Sequence, residues 1–426
     1  MRMGDRRDLN RRDFIKGSIA IGVGGAALGS AVIRPPRASA STSEPIRIGH
    51  QCILSGVLGG YGKFMQMGAN MAVEEINAAG GILGRKVEIQ YRDSEVKPPV
   101  AVKNARYFVD EWKADFLTGI DSSGVALAVG KIMPQLGKIL IVTHGATEKF
   151  NENLVYKDGI KNIFRISVPV YQDAIAAAMI AKDFDVGTWA TISPKYEYGY
   201  TSWKMFKATL RKFRKDVKFV EETWAPFGTK DFGPHISKVM AKNPEGIFTV
   251  EWGGEAIALV KQAKLYGVFD KIKVWMNGMG AAMDVLEGLG KEYPEGLWVS
   301  CRYWFQYPPT QFNEDFVKRF YKKYGKYPHY SSETSYSVIY AIKKAVEMAG
   351  TTKPKEVIAA LEDMTILTPA GRRWFRKADH QALYEVPWGQ ITHDPKYPVP
   401  ILKNLKVVPG EVYYRRPPFP PIEEVT

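Results

Sequence analysis

Glu75-Ile76-Asn77-Ala78-Ala79-Gly80-Gly81-Ile82-Leu83-Gly84-Arg85 takes the chain out of a helix and toward a strand. Upstream, Met67, Met71, Val73 and Ile76 supply apolar positions at helical spacing, which predicts a helix from about Lys63 to Ala79. Gly80-Gly81 stops it, because glycine readily adopts the left-handed cap conformation. Downstream, Val87-Glu88-Ile89-Gln90-Tyr91 alternates apolar and polar as a strand does. Before the helix, Ile46-Arg47-Ile48-Gly49 alternates in the same way and leads into a glycine-rich loop, Ser55 to Gly62. Strand, loop, helix, turn and strand follow one another within fifty residues.

The pattern continues outward. Pro98-Pro99 precedes a helix to about Trp112, and Phe116-Leu117-Thr118-Gly119-Ile120 reads as a buried strand. Ser122-Ser123 opens another helix, and Ile139-Leu140-Ile141-Val142 is the next strand. Strand and helix alternate to about residue 300, through Trp189 to Ile192, Gly199 to Phe213, Val217 to Glu221, Ile236 to Lys242, Gly246 to Val250, Glu255 to Tyr266 and Lys273 to Trp275. Such alternation builds parallel sheets covered by helices on both faces. At 426 residues the chain exceeds one compact core. Two doubly wound α/β lobes facing each other across a cleft are therefore expected. Beyond about Gly371 the composition shifts to Pro, Tyr and Trp, with short alternating runs at Lys406-Val407-Val408 and Glu411-Val412-Tyr413-Tyr414. That change predicts a β-rich extension wrapped on a lobe, ending in an extended tail from Pro417 to Thr426.

Residues 1–40 read as an address. Arg11-Arg12-Asp13-Phe14-Ile15-Lys16 is a twin-arginine pair, Gly17 to Ile33 is a mildly apolar Gly/Ala run, and Ala38-Ser39-Ala40 offers small residues for cleavage. Together they describe an exported protein using the twin-arginine route, which carries folded chains. The apolar run is too short and glycine-rich for a membrane anchor, and Cys52 lies too far downstream for a lipid attachment site. A periplasmic location without lipidation is expected.

Composition excludes several functions. The leader carries eight basic and three acidic residues, so the net charge of +14 falls to +9 over the remaining 386 residues. Those basic residues are scattered and do not alternate with aromatics, which argues against nucleic-acid binding and for a mild field that attracts anions. Cys52 and Cys301 are far apart and the six histidines are dispersed, so no metal or cofactor is expected. There is no G-x-S-x-G elbow, P-loop or zinc-protease motif, so a periplasmic hydrolase stands only as the weaker alternative function.

Several of these strings resemble one family. Ser55-Gly56, the Glu75 to Arg85 stretch, Asp93 with Pro99, Ala101 and Ala105, Gly119-Ile120-Asp121-Ser122-Ser123, Gly145-Ala146-Thr147, Tyr196-Glu197-Tyr198-Gly199, and Gly371 with Asp379-His380-Gln381 occur in the order seen in Leu/Ile/Val-binding periplasmic proteins. The resemblance covers roughly residues 45–395. It implies a type I periplasmic binding fold, two doubly wound lobes joined by three crossovers, feeding an ABC permease in the inner membrane. On that basis one lobe comprises 45–165 with 304–365, and the other 167–300 with 366–410. The tail would be 411–426. The crossovers are expected near Ile166 to Val170, Ser300 to Trp304 and Met364 to Thr368. A ligand-sensing module reporting to a membrane receptor is the alternative, and a monomer is expected in either case.

The motifs also carry their own physics. Ser122-Ser123 lies where a strand ends and a helix begins, so N–H groups and hydroxyls converge there, and the helix dipole favours an anion. Gly145-Ala146-Thr147 follows a neighbouring strand and adds another N–H and a hydroxyl. Ser122 and Thr147 are equally suited to capping helices. The resemblance assigns Tyr196 or Tyr198, and Trp252, to the facing wall, and Tyr61 is a similar candidate. His144 can contact an anion or sit as a satisfied strand-end histidine. Amino-acid-binding members carry an acid after the strand that is here Lys273 to Trp275, whereas this chain has Met276-Asn277-Gly278-Met279-Gly280. Glu251 and Asp121 are the acids left to meet an ammonium, and Asn277 completes the expected ligand-binding set. A carboxylate without an amine, such as an aromatic or other organic acid, is the expected solute, with an amino acid as the alternative.

Overall fold

The computed structural model describes residues 44–410 and 414–421, so the leader and the run Glu411 to Tyr413 lie outside the described residues. Two parallel-rich sheets dominate. The first lobe begins with β1 (Ile46–Cys52), α1 (Gly59–Ala78), β2 (Val87–Asp93), α2 (Pro98–Asp110), β3 (Phe116–Gly119), α3 (Ser123–Leu136), β4 (Ile139–Val142) and β5 (Ile163–Arg165). Its five strands are all parallel, in the order β2-β1-β3-β4-β5. β3 and β4 are buried along their whole length, as a sheet covered on both faces requires.

The chain then crosses to the second lobe. There α4 (Val170–Ala181), β6 (Thr188–Pro194), α5 (Glu197–Phe213), β7 (Lys218–Ala225), α6 (Gly233–Met240), β8 (Gly246–Thr249), α7 (Gly253–Leu265), β9 (Val274–Asn277), α8 (Met283–Leu289) and β10 (Trp298–Ser300) continue the alternation. It returns to the first lobe as α9 (Gln311–Tyr324), α10 (Tyr330–Ala349) and α11 (Pro354–Leu361). A small antiparallel sheet, β11 (Thr365–Thr368), β12 (Gly371–Phe375) and β13 (Ala382–Leu383), forms the last passage. Finally β14 (Pro387–Thr392) and β15 (Ile401–Val407) pair antiparallel at one edge of the second sheet, whose order is β15-β14-β10-β9-β8-β6-β7.

Three details differ from the expectations. α1 begins at Gly59, four residues before the expected start, because the glycine-rich loop itself winds into the helix. Gly62 allows this: a Cβ there would sit 1.6 Å from the Ile53 carbonyl oxygen. Residues Phe150–Lys157 form a π-helix that periodicity did not suggest. The second sheet is also not wholly parallel, since the C-terminal extension joins it as strands rather than lying over it. The turn quoted at the outset closes α1, with the Gly81 N–H donating to the Ile76 carbonyl at 2.8 Å. Cys52 and Cys301 are both buried and unbridged. Among the described residues no helix is long and apolar enough to cross a membrane, and no cluster of side chains is placed to hold a metal ion.

Candidate functional site

The strand ends of the two sheets meet around a small cavity lined by Tyr61, Asp121, Ser122, Ser123, His144, Ala146, Tyr196, Tyr198, Trp252, Met279, Arg302 and Tyr330. On the first lobe, β3 ends and the backbone turns sharply at Ile120, whose φ of 71° lies in the left-handed region. For a β-branched residue that conformation costs about 1–3 kcal/mol, and it carries Asp121 and Ser122 to the cavity. Ser122 is the N-cap of α3, its Oγ accepting from the Val125 N–H at 3.4 Å. No acidic residue occupies the first turn of α3, so its positive end is uncompensated by its own side chains.

Asp121 is 6 % exposed. Its Oδ2 accepts from Ser94 Oγ at 2.6 Å, and its Oδ1 has no partner. Burial pushes this carboxyl up from 3.8 to about 6. His144, two residues past β4, is held well below the usual imidazole range by burial and then by His50 and Arg302, so it is neutral.

Arg302 stands on the crossover after β10 and closes the cavity between the lobes. Its Nε and Nη2 donate to Asp173 Oδ2 of α4 at 3.3 and 3.1 Å, and its Nη1 donates to the His144 carbonyl at 2.6 Å. Burial opposes its charge, but the Asp173 carboxylate and the ring hydroxyls around it outweigh that, and the guanidinium stays charged. It lies 5.5 Å from the Tyr198 ring centre and 5.9 Å from that of Tyr330.

The remaining walls are aromatic. Trp252, the N-cap residue of α7, donates from Nε1 to the Tyr196 hydroxyl at 3.0 Å. Tyr330 at the start of α10 donates to the Tyr61 hydroxyl at 2.8 Å. The Tyr61 and Trp252 rings meet edge to face at 5.2 Å, which joins the two lobes across the cleft.

Of the expected residues, Tyr61, Ser122, Ser123, Ala146, Tyr196, Tyr198 and Trp252 line this one cavity. Thr147 and Asn277 lie behind the wall. Thr147 Oγ1 accepts from the Lys149 N–H, and Asn277 Oδ1 accepts from the Met279 N–H. Glu251 is also behind it, fully buried with both oxygens unpartnered, and burial holds its carboxyl far above the ordinary range. Arg302, Tyr330 and Met279 were not expected. Arg302 is visible in the sequence only as a lone arginine at a crossover, and Tyr330 only as a residue after Pro328-His329. A larger, more open cavity beside β12 and the tail, lined by Tyr307, Arg372, Trp374 and Arg416 among others, holds none of the expected residues.

Comparison with known proteins agrees with the fold. A family model described as periplasmic binding protein matches residues 45–395. The chain belongs to that family. This periplasmic binding protein is 27 % identical over 334 residues to a leucine-, isoleucine-, valine-, threonine- and alanine-binding protein of Pseudomonas aeruginosa, covering 78 % of this chain and 86 % of the relative. Its fold is similar to a solute-binding protein of an R. palustris ABC transporter solved with 4-hydroxybenzoate, with TM-score 0.78, 22 % identity, and 86 % and 97 % of the two chains covered. It is also similar to an amino acid ABC transporter substrate-binding protein from Pseudomonas fluorescens, with TM-score 0.73, 22 % identity, and coverage of 90 % and 98 %. The chain is thus a periplasmic solute-binding protein of the ABC-transporter type, in a family of binders and not of enzymes.

Proposed function

We propose that this protein captures an aromatic or other organic acid and delivers it, as a monomer, to an ABC permease. The observation that carries the reading is the charge of the cavity. The positive end of α3, which has no acidic residue in its first turn, and the Arg302 guanidinium both face it, within walls of tyrosine and tryptophan. An anion gains from both sources, and flat rings bury much apolar area with little rotamer entropy. In this reading Ser122, Ser123 and Ala146 hold the carboxylate, with Thr147 supporting that loop. Tyr61, Tyr196, Tyr198 and Trp252 clasp the body of the solute, and Asn277 shapes the wall at Met279. The R. palustris relative solved with 4-hydroxybenzoate supports the same class.

One observation favours a second reading, an α-amino acid: Asp121 lines the cavity with a free oxygen that could meet an ammonium. Against it, Arg302 adds a second positive charge near that position, and a buried ammonium needs a full counter-charge. Thermal-shift and calorimetric titration with benzoate, hydroxybenzoates, leucine and alanine decides between them. Stabilisation by the aromatic acids alone is expected; stabilisation by the amino acids alone would sink the reading.

Export by the twin-arginine route is part of the proposal and rests on Arg11-Arg12. Replacing both with lysine is expected to leave the precursor in the cytoplasm, as fractionation of expressing cells would read.

A further inference from the structure

We infer that the C-terminal tail is a strap, a fourth link between the lobes that restrains their opening, with Arg415 and Phe419 as its anchors. The inference is independent of which solute fills the cavity.

The chain passes between the lobes after β5, after β10 and through the small sheet β11 to β13. The tail then leaves β15 of the second sheet and docks on the first lobe. Arg415 donates from Nε and Nη2 to the two carboxylate oxygens of Glu152, at 2.6 and 2.9 Å. Glu152 belongs to the π-helix between β4 and β5. The Phe419 ring meets Tyr156 of the same helix edge to face at 5.2 Å. Arg415, Glu152 and Phe419 are 4 %, 6 % and 7 % exposed, so these are core contacts and not a loose tail on a surface.

The third passage is bound into the same cluster. Arg376, just past β12, pairs with Asp379 through Nε and Nη2, and its Nη1 donates to the Arg415 carbonyl at 2.8 Å. Asn151 of the π-helix donates to the Asp379 carbonyl at 2.6 Å, and the Tyr414 hydroxyl donates to the Tyr384 carbonyl at 3.0 Å. The tail therefore runs back beside the third passage, fixed to it and to the first lobe.

Little slack remains at the other end. Val407, opposite Pro387, is the last residue paired into the second sheet. Gly410 is already held to the tail, since its carbonyl accepts the Tyr414 N–H at 3.0 Å. Val407 and Gly410 are three residues apart, so at most about 10 Å of extended chain joins sheet to strap. Pulling Arg415 off Glu152 would strand buried charge, which is strongly unfavourable. The family model matches residues 45–395, so Arg415 and Phe419 lie beyond the shared part.

The test compares the mature wild type with the full-length double variant Arg415→Gln/Phe419→Ala, both dialysed free of solute. Amide exchange at residues 166–170, 300–304 and 384–386 is expected to speed up by about tenfold in the variant. Its radius of gyration in small-angle scattering is expected to rise as the lobes part. Exchange in β3 and β8, inside the two sheets, is expected to match wild type. Either readout unchanged overturns the inference. Equal acceleration in β3 and β8 also overturns it, because the tail would then stabilise the whole fold and not the link. A chain ended at Gly410 is the second variant, judged by the same criteria, and it decides alone if the double variant does not fold.

Discussion

Ser122 combines two roles that its sequence context left as alternatives, since it caps α3 and also faces the cavity. Two substitutions separate them. Ser122→Ala loses the cap and should cost about 1 kcal/mol of stability, whereas Ser122→Gly costs only a few tenths. Both lose the hydroxyl, and each should weaken solute binding by roughly 1–3 kcal/mol. Thermal unfolding and calorimetry read the two effects separately; a glycine variant that binds like the wild type would reduce Ser122 to a cap. Its neighbour Asp121 makes stability depend on pH. Burial raises this carboxyl from 3.8 to about 6, so on raising the pH the unfolded chain releases the proton first. Stability contributed by the protonated form is full below about pH 4 and is lost as pH rises to about 6, amounting to about 3 kcal/mol. Glu148 and Glu255, each raised to about 7, extend the same trend upward. His50, lowered to about 3, acts in the opposite sense, because its unfolded form takes up a proton as pH falls below 6.5. Asp121→Asn removes only the first contribution. Its melting temperature relative to wild type should therefore rise between about pH 4 and pH 7, and an offset that stays constant with pH would contradict the raised value.

At the scale of elements, α1 and α10 show how residues far apart in the chain build one wall. Ser332 Oγ of α10 donates to the Phe64 carbonyl of α1, and the Tyr324 hydroxyl donates to the Met67 carbonyl. Gly68 permits the approach: a Cβ there would lie 1.9 Å from the Ser332 carbonyl oxygen, a backbone atom that cannot turn aside. Gly68→Ala should thus destabilise the protein by about 1–3 kcal/mol or more by overpacking. An unchanged melting temperature would mean that the helices separate freely, which would also displace Tyr61 and Tyr330. These elements explain what the sequence could reveal. The Glu75 to Arg85 turn and the Ser122-Ser123 helix start are local signals, since the groups that make them lie within a few residues. The aromatic wall was partly legible because Tyr196 and Trp252 each stand where a strand gives way to a helix. Arg302 and Tyr330 were not, because their place follows from which lobe each crossover serves. The antiparallel pairing of β14 with β10 was hidden for the same reason. An alternating pattern fixes a face, not a partner.

On the scale of the whole molecule, the lobes are held shut by more than the cavity. Lys149 pairs with Glu197 at 2.9 Å, and Lys326 with Glu287 at 2.6 Å, each lysine from the first lobe and each acid from the second. Deeper in the cleft, His329 Nδ1 accepts from the Ser331 N–H at 2.9 Å, so its Nε2–H donates to Asp284 at 3.1 Å. Arg302 ties both lobes to the crossover through Asp173 and the His144 carbonyl. A solute favours closure only through its greater affinity for the closed form, and the rim pairs add to that preference without touching the solute. Exposed pairs are worth about 0–1 kcal/mol each and are screened by salt. Lys149→Glu should therefore weaken solute binding by about two- to fivefold at low ionic strength, mostly through faster release. Reversing both charges, Lys149→Glu with Glu197→Lys, should recover most of the loss, because the attraction is restored with its direction exchanged. The difference between single and double variants should fade near 1 M salt, where the screening length falls to about 3 Å. Stopped-flow release kinetics measures this directly. A single variant whose release rate matches wild type at low salt would show that closure is governed at the cavity alone.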